Sequence, residues 1–175
     1  LVFPHHENEA AQTRAARGQE LARIWMHNGM LQIGEEKMAK SVGNVALLHD
    51  VVADVGRDAL LMLFASGHYR GPLSFTDASL ADATARVRRI RETARRLVPG
   101  SSPEDMAPLK ERFFAALADD FNTAAALAAL ADWVREANRR GSGVGDGDLR
   151  EMLAVLALEN LLDDPDEGDA GELQA

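Results

Sequence analysis

The 175-residue chain contains no cysteine. That excludes a disulfide framework, a thiolate nucleophile and any sulfur donor to a metal from its own residues. No stretch approaches the roughly 20 apolar residues that span a bilayer, and the first residues, LVFPHHENE, lack a basic segment followed by an apolar core. Neither a membrane span nor a secretory signal is expected, and the chain reads as soluble and cytoplasmic. Positive charge is scarce as well. A net charge of −9 and a pI near 5.0 argue against holding nucleic acid by bulk electrostatics. The deficit is uneven: residues 1–100 carry 13 basic against 11 acidic side chains, residues 101–175 carry 6 against 17, so a polyanion should meet the first half. What remains is 46% apolar, enough for the core of one full domain or two small ones.

Pro4 and the acids Glu7 and Glu9 suit a helix start, Gly18 a helix end, and a second helical piece is expected near Gln19. WMHNGMLQIG predicts a strand or hairpin with a turn at Asn28-Gly29, and KMAKSVGN a loop. From Asp50 the period becomes helical. Leu60, Leu61, Leu63 and Phe64 predict a short, largely buried helix, and Gly67, Gly71 and Pro72 break periodicity in the loop 66–75. Leu80, Ala83, Val87, Ile90, Ala94 and Leu97 then form one apolar stripe, with Arg86, Arg88, Arg89, Arg95 and Arg96 off it. Ser102 is the expected cap of a helix facing inward through Met106, Leu109, Phe113 and Leu117; Asn122 and Thr123 precede another through Leu127, Leu130, Trp133, Val134 and Ala137. GSGVGDG (141–147) reads as a flexible connector, and a last helix carries Leu149, Leu153, Leu156 and Leu161 before an acidic, disordered tail. The pattern predicts an antiparallel helical bundle in the second half.

Four groups of residues suggest chemistry. His5 and Glu9, four apart at a helix start, project from one face at a spacing where imidazole and carboxylate can share a zinc ion; a surface pair gives the same spacing. Lys37 and Lys40, with Ser41 and the amides near Gly43, can close over a triphosphate, since lysine acts as a mobile point charge. A solvated lysine loop is the alternative. His27 and Asn28 can line a nucleotide pocket or simply occupy a turn, and the arginine face of 86–96 can meet RNA phosphates or only water.

FPHHENE, WMHNG, KMAKSVGN, SGHYRGPLSF and DDFNT occur here in one chain and in this order. That order and approximate spacing resemble cysteinyl-tRNA synthetases, class I aminoacyl-tRNA synthetases, over residues 1 to about 162. The resemblance implies an α/β remnant of a Rossmann-like class I catalytic domain followed by an all-α DALR-type helical bundle, mostly α overall. It places the end of the catalytic domain at 1–73, with a KMSKS-like loop at 37–41, the bundle at 74–162 and the acidic tail at 163–175. It implies ATP-dependent activation of cysteine to cysteinyl-adenylate and transfer to tRNA(Cys), by a monomer. Lys40 and Lys37 would be the catalytic, phosphate-facing lysines, and His27, Asn28 and Ser41 would join them in binding ATP with its Mg2+. His5 and Glu9 resemble the last two ligands of the zinc ion that recognises the substrate thiolate.

The departures are as informative. The two earlier cysteine ligands and the HIGH signature are missing and no anticodon-binding counterpart follows, so the sequence resembles an internal piece of such an enzyme and should be inactive alone. Ala39 replaces the usual serine of the loop, and Leu61 stands where an arginine is common in the DALR-type segment. Two other readings stay open: the cysteine ligase of mycothiol synthesis, which uses the same adenylate chemistry with an amino-sugar acceptor, and a non-catalytic helical module that binds RNA or protein.

Overall fold

The computed structural model describes residues 2–33, 36–37 and 47–163, the side chains of Ile33, Glu36 and Lys37 excepted. Lys40, Ser41 and Ala39, and nearly all of the acidic tail, lie outside the described residues. The N-terminal helix forms as its punctuation predicts. A π-helical turn at Val2–His6 leads into α1 (Glu7–Arg17), with Glu7 and Glu9 in the first turn and Gly18 closing the end at φ 65° through an N–H donated to Arg14 O. The left-handed cap needs no Cβ, which is why glycine serves there. No second helix begins at Gln19. Instead the Arg14 guanidinium makes two bonds to the Glu20 carboxylate, at 3.0 and 2.8 Å, where the chain leaves the helix.

Three short strands follow. β1 (Leu31–Ile33) pairs antiparallel with β2 (Glu36–Lys37) and parallel with β3 (Leu73–Phe75), giving the order β2-β1-β3 with Leu31 opposite Leu73. A strand therefore forms within WMHNGMLQIG, but Asn28-Gly29 is not the turn of a hairpin: β1 begins after it and pairs with β2, in which Lys37, assigned to the loop, has its backbone. The 66–75 loop likewise ends in a strand.

The rest is helical: α2 (Leu48–Val55), α3 (Arg57–Ala65), α4 (Asp77–Ala94), α5 (Ala107–Ala118), α6 (Thr123–Arg140) and α7 (Gly147–Val155), with 3-10 turns at Glu104–Met106 and Glu159–Leu162. α4 starts on a reciprocal cap in which Thr76 Oγ1 accepts from the Ser79 amide and Ser79 Oγ accepts from the Thr76 amide. Its stripe Ala83, Val87 and Ile90 is buried while the five off-stripe arginines are exposed, as the spacing requires. α3 packs on α4 and α5 on α6. One core joins Leu60, Met62 and Leu63 of α3 to Phe113, Trp133, Leu149, Leu153 and Leu161. Each such side chain contributes about 1.5–3 kcal/mol on burial. Phe64 departs from expectation, being 46% exposed on the far side of α3.

Two connections differ from the sequence reading for the same reason. Ser102 does not cap the helix that follows it; its Oγ donates to Gly145 O and accepts from the Asp148 amide, so it satisfies the start of α7 instead. GSGVGDG is no slack linker: Val98 and Val144–Asp146 exchange backbone hydrogen bonds, Val144 is buried, and a Cβ at Gly145 would stand 2.0 Å from Ser101 O. Gly145 and Gly147 allow close approach of two backbones, whereas Gly141 and Gly143 serve their positive φ of 84° and 80°. The last helix stops at Val155. Ala157, at φ 56°, turns the chain so that Leu158 and Leu161 enter the core from the 3-10 turn.

Candidate functional site

The WMHNG segment and the GHYRG loop dock on each other through backbone. Gly29 donates to Tyr69 O at 2.6 Å and Leu73 donates to Met30 O at 3.1 Å. A Cβ on Gly29 would lie 1.8 Å from Gly71 O, so no side chain fits at this position. Between them opens a cleft of about 430 Å³ lined by Asn28, Phe64, His68, Tyr69 and Leu73, among others. Asn28 is exposed and faces this cleft, whereas His27 turns to the other side. There the rings of His6, Trp25 and His27 stack, at 4.9 Å between the two imidazoles and 5.7 Å from His6 to Trp25. His6 Nδ1 and His27 Nε2 are shut from solvent and have no hydrogen-bond partner among the described residues. Unpartnered buried nitrogens are costly, and a ligand or an added polar group would satisfy them.

The loop is held from its other side by the turn before α6. The Asp120 carboxylate accepts from Tyr69 OH at 2.8 Å and from Arg70 Nε and Nη2 at 2.6 and 2.9 Å, and His68 Nε2 lies 3.8 Å away. Thr123 Oγ1 adds a bond to Gly67 O. The Arg70 bonds, then that from Tyr69, hold the Asp120 carboxyl at about 2, well below the ordinary 3.8. Two segments that looked unrelated in sequence, GHYR and DDFNT, are thus the two halves of one contact. Asp120, Tyr69 and Arg70 had no role assigned from sequence. The available signal was an Asp-Asp pair next to a helix cap, which is ordinary on its own.

A second knot ties α3 to the bundle. Asp58, 9% exposed, accepts from Arg57 Nη1 at 3.1 Å, Arg91 Nη2 at 2.7 Å and Asn160 Nδ2 at 2.9 Å, while Arg57 Nη2 reaches Ala157 O. Leu61, the departure from the DALR pattern, is half-buried against the core.

His5 and Glu9 are both exposed, on the N-terminal turn and the first turn of α1. An imidazole and a carboxylate facing solvent one turn apart suit zinc, and they provide two of the four donors a closed site needs. No group of three His, Asp or Glu side chains that could hold a metal comes together among the described residues. The pair therefore fits a share of a zinc site rather than a whole one. No described helix is long and apolar enough to cross a membrane.

The sequence matches two family models: tRNA synthetases class I (C) catalytic domain over residues 1–85, and DALR domain over 112–162. It is 42% identical over 185 aligned residues to the cysteine–tRNA ligase of Halorhodospira halophila, covering 100% of this chain and 39% of that protein. With the cysteine–tRNA ligase of Geobacter metallireducens it shares 41% over 169 residues, 88% of this chain and 35% of that one. The chain thus spans under two-fifths of the length of these relatives. Among solved structures, the leucyl-tRNA synthetase of Agrobacterium radiobacter K84 in its ternary complex with tRNA and LeuAMS superposes with a TM-score of 0.61 over 88% of this chain and 23% of that one, at 17% identity, a likeness of fold alone. With a class I catalytic segment leading into a DALR bundle and about two-fifths of its residues shared with such enzymes along its whole length, the chain belongs to the cysteine–tRNA ligase family.

Proposed function

We propose that this chain works within a cysteine–tRNA ligase that activates cysteine with ATP and passes it to tRNA(Cys). The observation that carries the reading is the 42% identity to such a ligase across the entire chain. In the first step the cysteine carboxylate attacks the α-phosphorus of ATP, the bond to the bridging oxygen breaks, and pyrophosphate leaves with the electron pair. Lys37 and Lys40 stabilise the charge that grows on the leaving group, a task for mobile cations rather than fixed forks. Ser41 adds a hydroxyl donor. Asn28 and Gly29 line the cleft beside Tyr69 and supply one wall for the nucleotide, while His27 stacks on His6 behind that wall. A ribose hydroxyl of the tRNA then attacks the carbonyl carbon of cysteinyl-adenylate, its bond to the phosphate oxygen breaks, and AMP leaves as the hydroxyl gives up its proton.

His5 and Glu9 supply two donors to a zinc ion that, when bound, offers a thiolate acceptor which serine and alanine cannot satisfy. We place the catalytic part at 1–73 and the bundle at 74–162, in a monomeric, cytoplasmic enzyme. Transfer of labelled cysteine tests the reading. The protein containing this chain should charge tRNA and leave an amino sugar unlabelled; exclusive sugar labelling overturns it.

A further inference from the structure

The connection between α5 and α6 is built in an unfavourable conformation. Asp120 and Phe121 both sit at φ 53° in the left-handed region, uncommon for aspartate and an outlier for phenylalanine, whose ring is 57% exposed. Bonds from the Phe121 amide to Leu117 O and from the Asn122 amide to Ala116 O hold the turn. Strain that neighbouring structure maintains is a reason to ask what it positions. Both carboxylate oxygens of Asp120 are taken by the GHYR loop: Oδ1 by Tyr69 OH and Arg70 Nη2, Oδ2 by Arg70 Nε. The path continues without a gap. Tyr69 O accepts the Gly29 amide, and Gly29 lies flush against Gly71, so His27 and Asn28 are fixed relative to the loop that Asp120 grips.

We propose that Asp120, a residue of the helical bundle, is a positioning residue for the nucleotide wall at Asn28 and Gly29, acting through Tyr69 and Arg70. The bundle is then more than a spacer behind the catalytic part: it sets the register of a segment that touches the nucleotide. The coupling rests on geometry alone; its consequence for ATP rests on the proposed function.

Asp120→Asn separates this role from folding, because asparagine tolerates the left-handed region and the Asn122 cap of α6 is left intact. In the 175-residue chain, amide exchange followed by NMR should accelerate at Gly29 about tenfold, the loss expected for a hydrogen bond to a charged group. Exchange at Trp133 and Val134 in α6 should stay unchanged. In the protein containing this chain, the same substitution should raise the KM for ATP in pyrophosphate exchange about tenfold, leaving kcat and the KM for cysteine within about twofold. The exchanged pair Asp120→Arg with Arg70→Asp should recover part of the loss. Unchanged Gly29 exchange overturns the coupling, and so does equal acceleration at Trp133, which marks a merely structural role. Accelerated Gly29 exchange with an unaltered KM for ATP overturns the positioning of the nucleotide. Absence of pyrophosphate exchange in the unsubstituted protein overturns the functional reading, while the Gly29 amide still decides the coupling.

Discussion

Gly29 and Gly71 meet backbone to backbone, with 1.8 Å between the place a Gly29 Cβ would occupy and the Gly71 carbonyl oxygen. Even one methyl group must push the WMHNG segment off the GHYRG loop. Gly29→Ala should therefore break the Gly29–Tyr69 hydrogen bond and destabilise this contact by about 1–3 kcal/mol, the usual range for overpacking. Amide exchange at Gly29 and Leu73 checks it; protection equal to the unsubstituted chain would show that the contact is looser than its geometry.

The buried carboxylate of Asp58 is held by Arg57, Arg91 and Asn160 from three separate elements. Asp58→Ala removes the shared acceptor and leaves Arg91 without its partner near the core. We expect a loss of about 1–3 kcal/mol in urea unfolding. Asp58→Asn should fall between, since an amide oxygen still accepts but carries no charge.

Trp133 is fully buried, yet its Nε1 has no hydrogen-bond partner among the described residues. Trp133→Ala should cost about 3–5 kcal/mol through the cavity it leaves. Trp133→Phe should cost much less, because it empties only part of that volume and also removes the unsatisfied donor. Denaturant midpoints of the two variants, compared at equal slope, test the difference.

Acid should act on the ion pairs in a defined window. The Asp120 carboxyl is lowered from 3.8 to about 2 by Arg70 and then Tyr69, and the Glu136 carboxyl from 4.5 to about 2 by Arg139 and then Arg140. Both are depressed in the folded state, so their stabilisation is complete above pH 4.5 and is lost as pH falls toward about 2. Unfolding free energy should show no change from these groups near neutrality and decline across the acid window. Asp120→Asn should flatten part of that decline.

Within the protein that contains this chain, Lys40→Ala should slow pyrophosphate exchange by about two to three orders of magnitude, the range for losing one stabilising partner of transition-state charge. An unaltered rate would mean that the lysine only solubilises its loop.

Much of the helical half was legible because its signals are local. The three-and-four spacing of Ala83, Val87 and Ile90, the Asn122 cap and the Gly18 stop act within a few residues of themselves, and the helices form where they predict. Ser102 was misassigned for the opposite reason. A serine before Pro-Glu-Asp looks like a cap, but its partners, Gly145 and Asp148, lie more than 40 residues away.

By itself the sequence determined the order of motifs, the amphipathic helices and the family, since periodicity, caps and shared residues are carried along the chain. Only the tertiary structure decided what those motifs do to one another: that Asp120 holds Tyr69 and Arg70, that Gly29 must be glycine because Gly71 lies against it, and that Asp58 gathers three elements. Hydrogen bonds and close backbone approach depend on distances of a few ångströms between residues remote in sequence, and no local pattern encodes such distances.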